Sequence, residues 1–112
     1  MIKSPSSEHY SPETQILLIT PPPVNTYQRG ADLASRVPPL ALDREFDITK
    51  AYADAVKDVG QSEGVLVLDV WTAIFEAAGR DEKQLENFLE DGLHLNAAGY
   101  TASELYHLNN FL

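Results

Sequence analysis

Gln15-Ile16-Leu17-Leu18-Ile19-Thr20-Pro21-Pro22-Pro23 is the stretch from which the architecture follows. Its apolar residues are continuous rather than alternating. That pattern suits a short strand covered on both faces, as in a parallel sheet. Proline donates no backbone hydrogen bond, so three in a row end the strand at once. Downstream, Val65-Leu66-Val67-Leu68-Asp69-Val70 reads as a second buried strand. Between the two lies a helical pattern, with Ile48, Tyr52, Ala55 and Val59 on one face and Lys50, Asp54 and Lys57 on another. Asp43 is the expected cap of this helix and Gly60 its expected end. Strand, helix, strand makes a βαβ crossover, expected to be parallel and right-handed.

The rest of the chain fits around this unit. Residues 1–14, rich in Ser, Pro and charge, read as a flexible entry segment ahead of a domain over residues 15–112. Val24 to Leu42 is polar and turn-rich, with Gly30, Pro38 and Pro39, and reads as a loop. Trp71 to Ala78 is a short apolar helix closed by Gly79, and Asp81 to Leu89 reads as another. Asn96 is placed to cap a last helix whose apolar stripe is Thr101, Leu105, Leu108 and Leu112. Two strands are few for such a layout, because a two-stranded sheet supports flanking helices poorly. The chain therefore reads as part of something larger.

Composition narrows the function. The chain has 112 residues, 8 Lys plus Arg against 17 Asp plus Glu, and a net charge of −9. Phosphate contacts need clustered cations, so nucleic acid is not an expected partner, nor is an anionic membrane surface. With no cysteine, a disulfide scaffold, a cysteine zinc site and a cysteine nucleophile are excluded. The longest apolar run, Ile16 to Ile19, is too short to cross a bilayer, and Met1 to Tyr10 has no apolar core of the kind a secretory signal needs. The expected location is the cytoplasm. Most of the negative charge lies in residues 61–112, densest from Asp81 to Asp91. Such a run reads as a solvated helix face, with a chemical role open only for its last member, Asp91.

Asp91-Gly92-Leu93-His94 is the candidate for chemistry. A carboxylate three residues before an imidazole can reach it within one turn of chain, hold it in one tautomer and stabilise its protonated form. Gly92 allows a backbone angle other residues resist. Alone, Asp-x-x-His is weak evidence, and a surface loop ahead of a capped helix explains it equally well. A metal site from His94, His107 and Asp91 has nothing to fix tetrahedral spacing, so no metal or cofactor is expected. Asp69 reads as the cap of the following helix, Trp71 as core or pocket wall, and His9 as part of the N-terminal segment. Pro21 to Pro23 lie at the strand-end side, where they either line a cleft or simply form a rigid exit from the strand.

The order of these blocks resembles the C-terminal half of the GDSL, or SGNH, hydrolases, and most nearly their isoamyl acetate-hydrolysing esterase branch. The resemblance rests on Leu17-Leu18-Ile19-Thr20-Pro21-Pro22-Pro23-Val24, Lys50-Ala51-Tyr52-Ala53-Asp54-Ala55, Val67-Leu68-Asp69-Val70-Trp71-Thr72 and Asp91-Gly92-Leu93-His94-Leu95-Asn96. It implies an α/β fold, namely part of a three-layer, flavodoxin-like α/β/α domain whose N-terminal strands are missing here. It also implies a serine esterase for small esters with a Ser-His-Asp triad, in which Asp91 would be the acid and His94 the base. The family's nucleophile follows Gly-Asp, and an oxyanion donor lies in Gly-x-Asn-Asp. None of the six glycines here is followed by Asp or begins the second pattern. No serine is assigned as nucleophile. Two outcomes are expected from this departure. The chain is either the acid–base half of an esterase, inactive alone and completed by a missing half, or a non-catalytic remnant that associates through an open sheet edge.

Overall fold

A computed structural model describes residues 15–111; the N-terminal segment, with His9 and four of the serines, lies outside the described residues. Strand β1 (Leu17–Ile19) leads to helix α1 (Thr26–Ala34), helix α2 (Phe46–Glu63), strand β2 (Leu66–Leu68) and helix α3 (Val70–Ala77). A 3-10 helix (Glu82–Asn87) and helix α4 (Ala97–Phe111) follow. The two strands pair in parallel, Leu17 opposite Leu66 and Ile19 opposite Leu68. Mixed α/β architecture with a two-stranded parallel sheet and flanking helices is therefore what the chain adopts.

Helix α2 covers one face of the sheet through small residues. Thr49, Ala53 and Gly60 turn inward. A Cβ on Gly60 would collide with the Val67 side chain, so glycine is what lets helix and strand approach this closely. This corrects two expectations. Gly60 lies within α2, and the helix ends instead at Gly64, in the left-handed conformation at φ 66°. The stripe of Ile48, Tyr52, Ala55 and Val59 faces outward and is exposed. Asp43 does not cap α2 either: Glu45 holds that position without a side-chain hydrogen bond, while Phe46 N–H donates to Thr26 Oγ1 at 3.0 Å. That bond ties α2 to the start of α1, a helix in a stretch read from sequence as a loop.

The opposite sheet face is open. Leu17, Ile19 and Leu66 share it and are exposed, Ile19 at 58%. The buried apolar cluster sits beside the sheet rather than across it. Ile74 of α3 and Ala78, the residue that follows the helix, meet Leu85 of the 3-10 helix and Leu89, with Phe88, Leu95 and Ala102 packed against them. Phe46, Trp71 and Phe75 close one flank with ring centroids 4.8–5.5 Å apart.

Two caps behave as the sequence predicts. Asp69 Oδ1 accepts from Thr72 N–H at 3.1 Å, and Asn96 Oδ1 accepts from Gly99 N–H at 2.9 Å. The stripe expected to bury α4 is reversed. Leu105 and Leu108 are exposed, and Leu112 lies outside the described residues. Gly99 is buried instead, where an added Cβ would collide with the Phe88 carbonyl. Small residues again set the contact, because they allow the backbone itself to pack.

Candidate active site

The loop between the 3-10 helix and α4 folds back on itself. Leu89 and Leu95 form an antiparallel bridge, and Glu90 N–H donates to the His94 carbonyl at 2.8 Å. This closure forces a tight turn through Asp91, Gly92 and Leu93, with Gly92 at φ 83°. The turn lies directly against the first turn of α1. Asn25 N–H donates to the Gly92 carbonyl at 3.0 Å, and Gln28 Nε2 donates to the Leu89 carbonyl at 3.0 Å. Asn25 itself is buried and caps α1, its Oδ1 accepting from Gln28 N–H at 3.2 Å.

Within this turn the two residues singled out by the sequence meet. His94 Nδ1 lies 2.9 Å from Asp91 Oδ2. The other oxygen, Oδ1, accepts the backbone N–H groups of Leu93 at 3.0 Å and His94 at 2.9 Å. Burial alone would raise the carboxyl pKa. The His94 backbone N–H, the His94 ring and the Leu93 N–H outweigh it and bring Asp91 down to about 2. Asp91 is therefore a fixed anion. A carboxylate that accepts from Nδ1 selects the tautomer with its proton there and leaves Nε2 as an acceptor. The His94 side chain is 66% exposed, so its ring is open to a reacting partner.

A third member was not read from the sequence. Arg29, on α1, is only 5% exposed. Its Nη1 lies 3.2 Å from Asp91 Oδ2. On its other side, Nε and Nη2 donate to the two oxygens of Asp43 at 3.0 and 3.1 Å, a bidentate pair. Asp32 lies 3.6 Å from Nη1. The hydrogen bond to Asp43 raises the guanidinium pKa despite burial, and it draws the Asp43 carboxyl below its usual range. A signal for α1 was present in the sequence: Asn25-Thr26-Tyr27-Gln28 is a helix-start pattern, an Asn cap with Gln three residues on.

Asp43 also borders a cavity of about 530 Å³ whose wall is mostly apolar, including Pro21, Pro22, Leu42, Ile48, Tyr52 and Leu93. Pro21 and Pro22 thus do line a cleft, while Pro23 is buried. Asp69 is taken up by structure: it accepts from Thr20 Oγ1 at 3.2 Å and from Thr72 Oγ1 at 2.6 Å. His107 does not join His94. It donates from Nδ1 to the Ser103 carbonyl of its own helix at 2.7 Å. Among the described residues no three His, Cys, Asp or Glu side chains are grouped to hold a metal ion. No helix among them is long and apolar enough to cross a membrane.

The human protein named isoamyl acetate-hydrolyzing esterase 1 homolog is 32% identical to this chain over 88 residues, covering 79% of the chain and 33% of the human protein. Its mouse counterpart is 31% identical over 90 residues with the same coverage. The bovine counterpart is 31% identical over 88 residues. The chain thus spans about a third of the length of the curated relatives it matches. The family model described as "GDSL-like Lipase/Acylhydrolase family" matches residues 6–102. That span takes in both strands, the proline exit, α1 to α3 and the turn joining Asp91 to His94, and on that extent the chain belongs to the GDSL-like lipase/acylhydrolase family.

Proposed function

We propose that this chain is the acid–base portion of a serine-type carboxylic-ester hydrolase for small esters, with His94 as general base and Asp91 as its orienting acid. One observation carries the reading: Asp91 Oδ2 lies 2.9 Å from His94 Nδ1, while the same carboxylate is held by two backbone donors. Family membership and the esterase names of the relatives support the reaction class.

The chemistry follows from the tautomer. With the proton on Nδ1, Nε2 of His94 takes the proton of a serine hydroxyl as its oxygen attacks the ester carbonyl. The imidazolium that forms is stabilised by Asp91 and returns the proton to the departing alkoxide. An acyl-serine remains, and His94 activates water in the same way to release the acid. The serine and the oxyanion donors come from residues other than those described. Of the three described serines, Ser35 donates to the Asp32 carbonyl, Ser62 lies exposed in the last turn of α2 and Ser103 lies against His107, so none is bonded to His94. The apolar cavity beside Leu93 suits the alkyl portion of a small ester.

Purified chain given a chromogenic short-chain ester should show no turnover above buffer. Joined to a segment carrying the Gly-Asp-Ser block, it should turn the ester over, and Asp91→Asn or His94→Ala should lower kcat by about 10⁴. Full turnover in His94→Ala would overturn the reading.

A second reading, that the chain acts as an association module, is favoured by the open sheet face carrying Leu17, Ile19 and Leu66. On this reading the partner is a second copy or a full-length relative.

A further inference from the structure

We propose that Arg29 is a positioning residue for the Asp91–His94 pair, a clamp that fixes Asp91 Oδ2 where it accepts from His94 Nδ1. This rests on the proposed acid–base reading and adds a residue to it.

The Asp91 carboxylate has its Oδ1 fixed by the N–H groups of Leu93 and His94. Those two bonds locate one oxygen but leave the carboxylate free to swing about it. Oδ2 is located by Arg29 Nη1 at 3.2 Å, so both oxygens are fixed before the imidazole is considered. A donor is useful for positioning only if it is itself held. The guanidinium plane is set from its far side by the bidentate pair with Asp43. Its backbone is set as well: Arg29 N–H donates to the Asn25 carbonyl at 2.8 Å, and Gly92 lies so close that a Cβ there would come 2.8 Å from Arg29 Cα. Both ends of the Arg29–Asp91 bond are thereby anchored to one backbone contact.

Charge is consistent with this role. A guanidinium buried to 5% exposure needs counter-charge, and Asp32, Asp43 and Asp91 supply it. Because Asp43 takes up two of the donors, the cation is shared, and Asp91 keeps enough negative charge to hold the ring. A bond serving only to join α1 to the loop before α2 needs Asp43 alone. The third donor, aimed at the oxygen that meets His94, is what a purely structural role leaves unexplained.

The test reads His94 directly and needs no esterase activity. Histidine side chains are labelled with ¹⁵N in the whole chain, and the His94 signals are assigned by His94→Gln. With the ring neutral, the wild-type protein should show the Nδ1–H tautomer. If it does not, the acid–base reading fails at that point. If it does, Arg29→Met should lower the ratio of Nδ1–H to Nε2–H by about threefold or more, and Arg29→Lys should recover part of it. Asp43→Asn, which loosens only the far anchor, should shift the ratio the same way by less. A folded Arg29→Met protein with the wild-type ratio overturns the proposal. Should Arg29→Met not fold, Asp43→Asn decides: a lowered ratio sustains the clamp and an unchanged one overturns it.

Discussion

Gly92 lies against the backbone of Arg29, with an added Cβ placed 2.8 Å from Arg29 Cα and from the Asn25 carbonyl oxygen and in collision with Arg29 N. The contact joins two segments more than sixty residues apart in the chain. It brings Asp91, one residue before Gly92, within reach of the Arg29 guanidinium. The carboxylate–imidazole pair and its support are therefore consequences of a single backbone approach.

Gly92→Ala should be among the most damaging single substitutions. It combines a left-handed φ of 83° with contacts on backbone atoms that cannot rotate away. A loss of roughly 3 kcal/mol or more is expected. Gly64→Ala, at φ 66° but with open space around the added methyl, should cost only about 1 kcal/mol. Urea melts followed by Trp71, the chain's one tryptophan, would compare them. Equal losses in the two variants would remove the close-approach explanation.

Acid should weaken the fold partly through Asp91. Its carboxyl stands at about 2 in the folded chain against an ordinary 3.8, despite burial that acts the other way. A lowered folded value means that the unfolded chain binds this proton more readily. The stabilisation is complete above about pH 5 and is lost as the pH falls through about 2. Asp91→Asn should be less stable than the parent at neutral pH and should lose less on acidification. Parallel melt curves at every pH for the two proteins would contradict this.

Asn25 holds two roles at once, as the α1 cap and as a backbone donor to Gly92. Asn25→Ala keeps the backbone bond and removes the cap, at a cost of about 1 kcal/mol, typical of a lost N-cap. Hydrogen exchange should quicken at Gln28, whose N–H loses its acceptor, more than at residues of α4. Uniform quickening across the chain would point to global destabilisation instead.

Self-association should respond to charge on the open sheet face. Ile19 and Leu17 lie on it beside Leu66, and among the described residues β1 and β2 each have one unpaired edge. The net charge of −9 opposes association, and at about 0.15 M salt its reach is roughly 8 Å. Ile19→Lys should shift sedimentation toward the monomer at moderate salt. A parent chain that is already a clean monomer at high concentration would show that this face does not drive association.

Much of the fold was legible along the chain. Apolar runs ending at Pro21 and at Asp69, with a helical period between, dictate a parallel βαβ unit because each signal is local. The caps at Asp69 and Asn96 were equally plain, since a cap is a bond between residues two or three apart. Asp91 and His94 could be paired from spacing for the same reason. Which faces are buried was not decided locally. The stripes Ile48-Tyr52-Val59 and Leu105-Leu108 are the most apolar on their helices, yet small residues such as Ala53, Gly60 and Gly99 make the inward contacts. Close backbone approach selects for lack of a side chain, which leaves no hydrophobic signal to read. Arg29 illustrates the same limit. Alone it reads as a surface cation in a polar stretch. Only the tertiary structure, by laying the Asp91 turn on α1 and the loop before α2 on its far side, surrounds that cation with Asp32, Asp43 and Asp91 and makes its burial affordable.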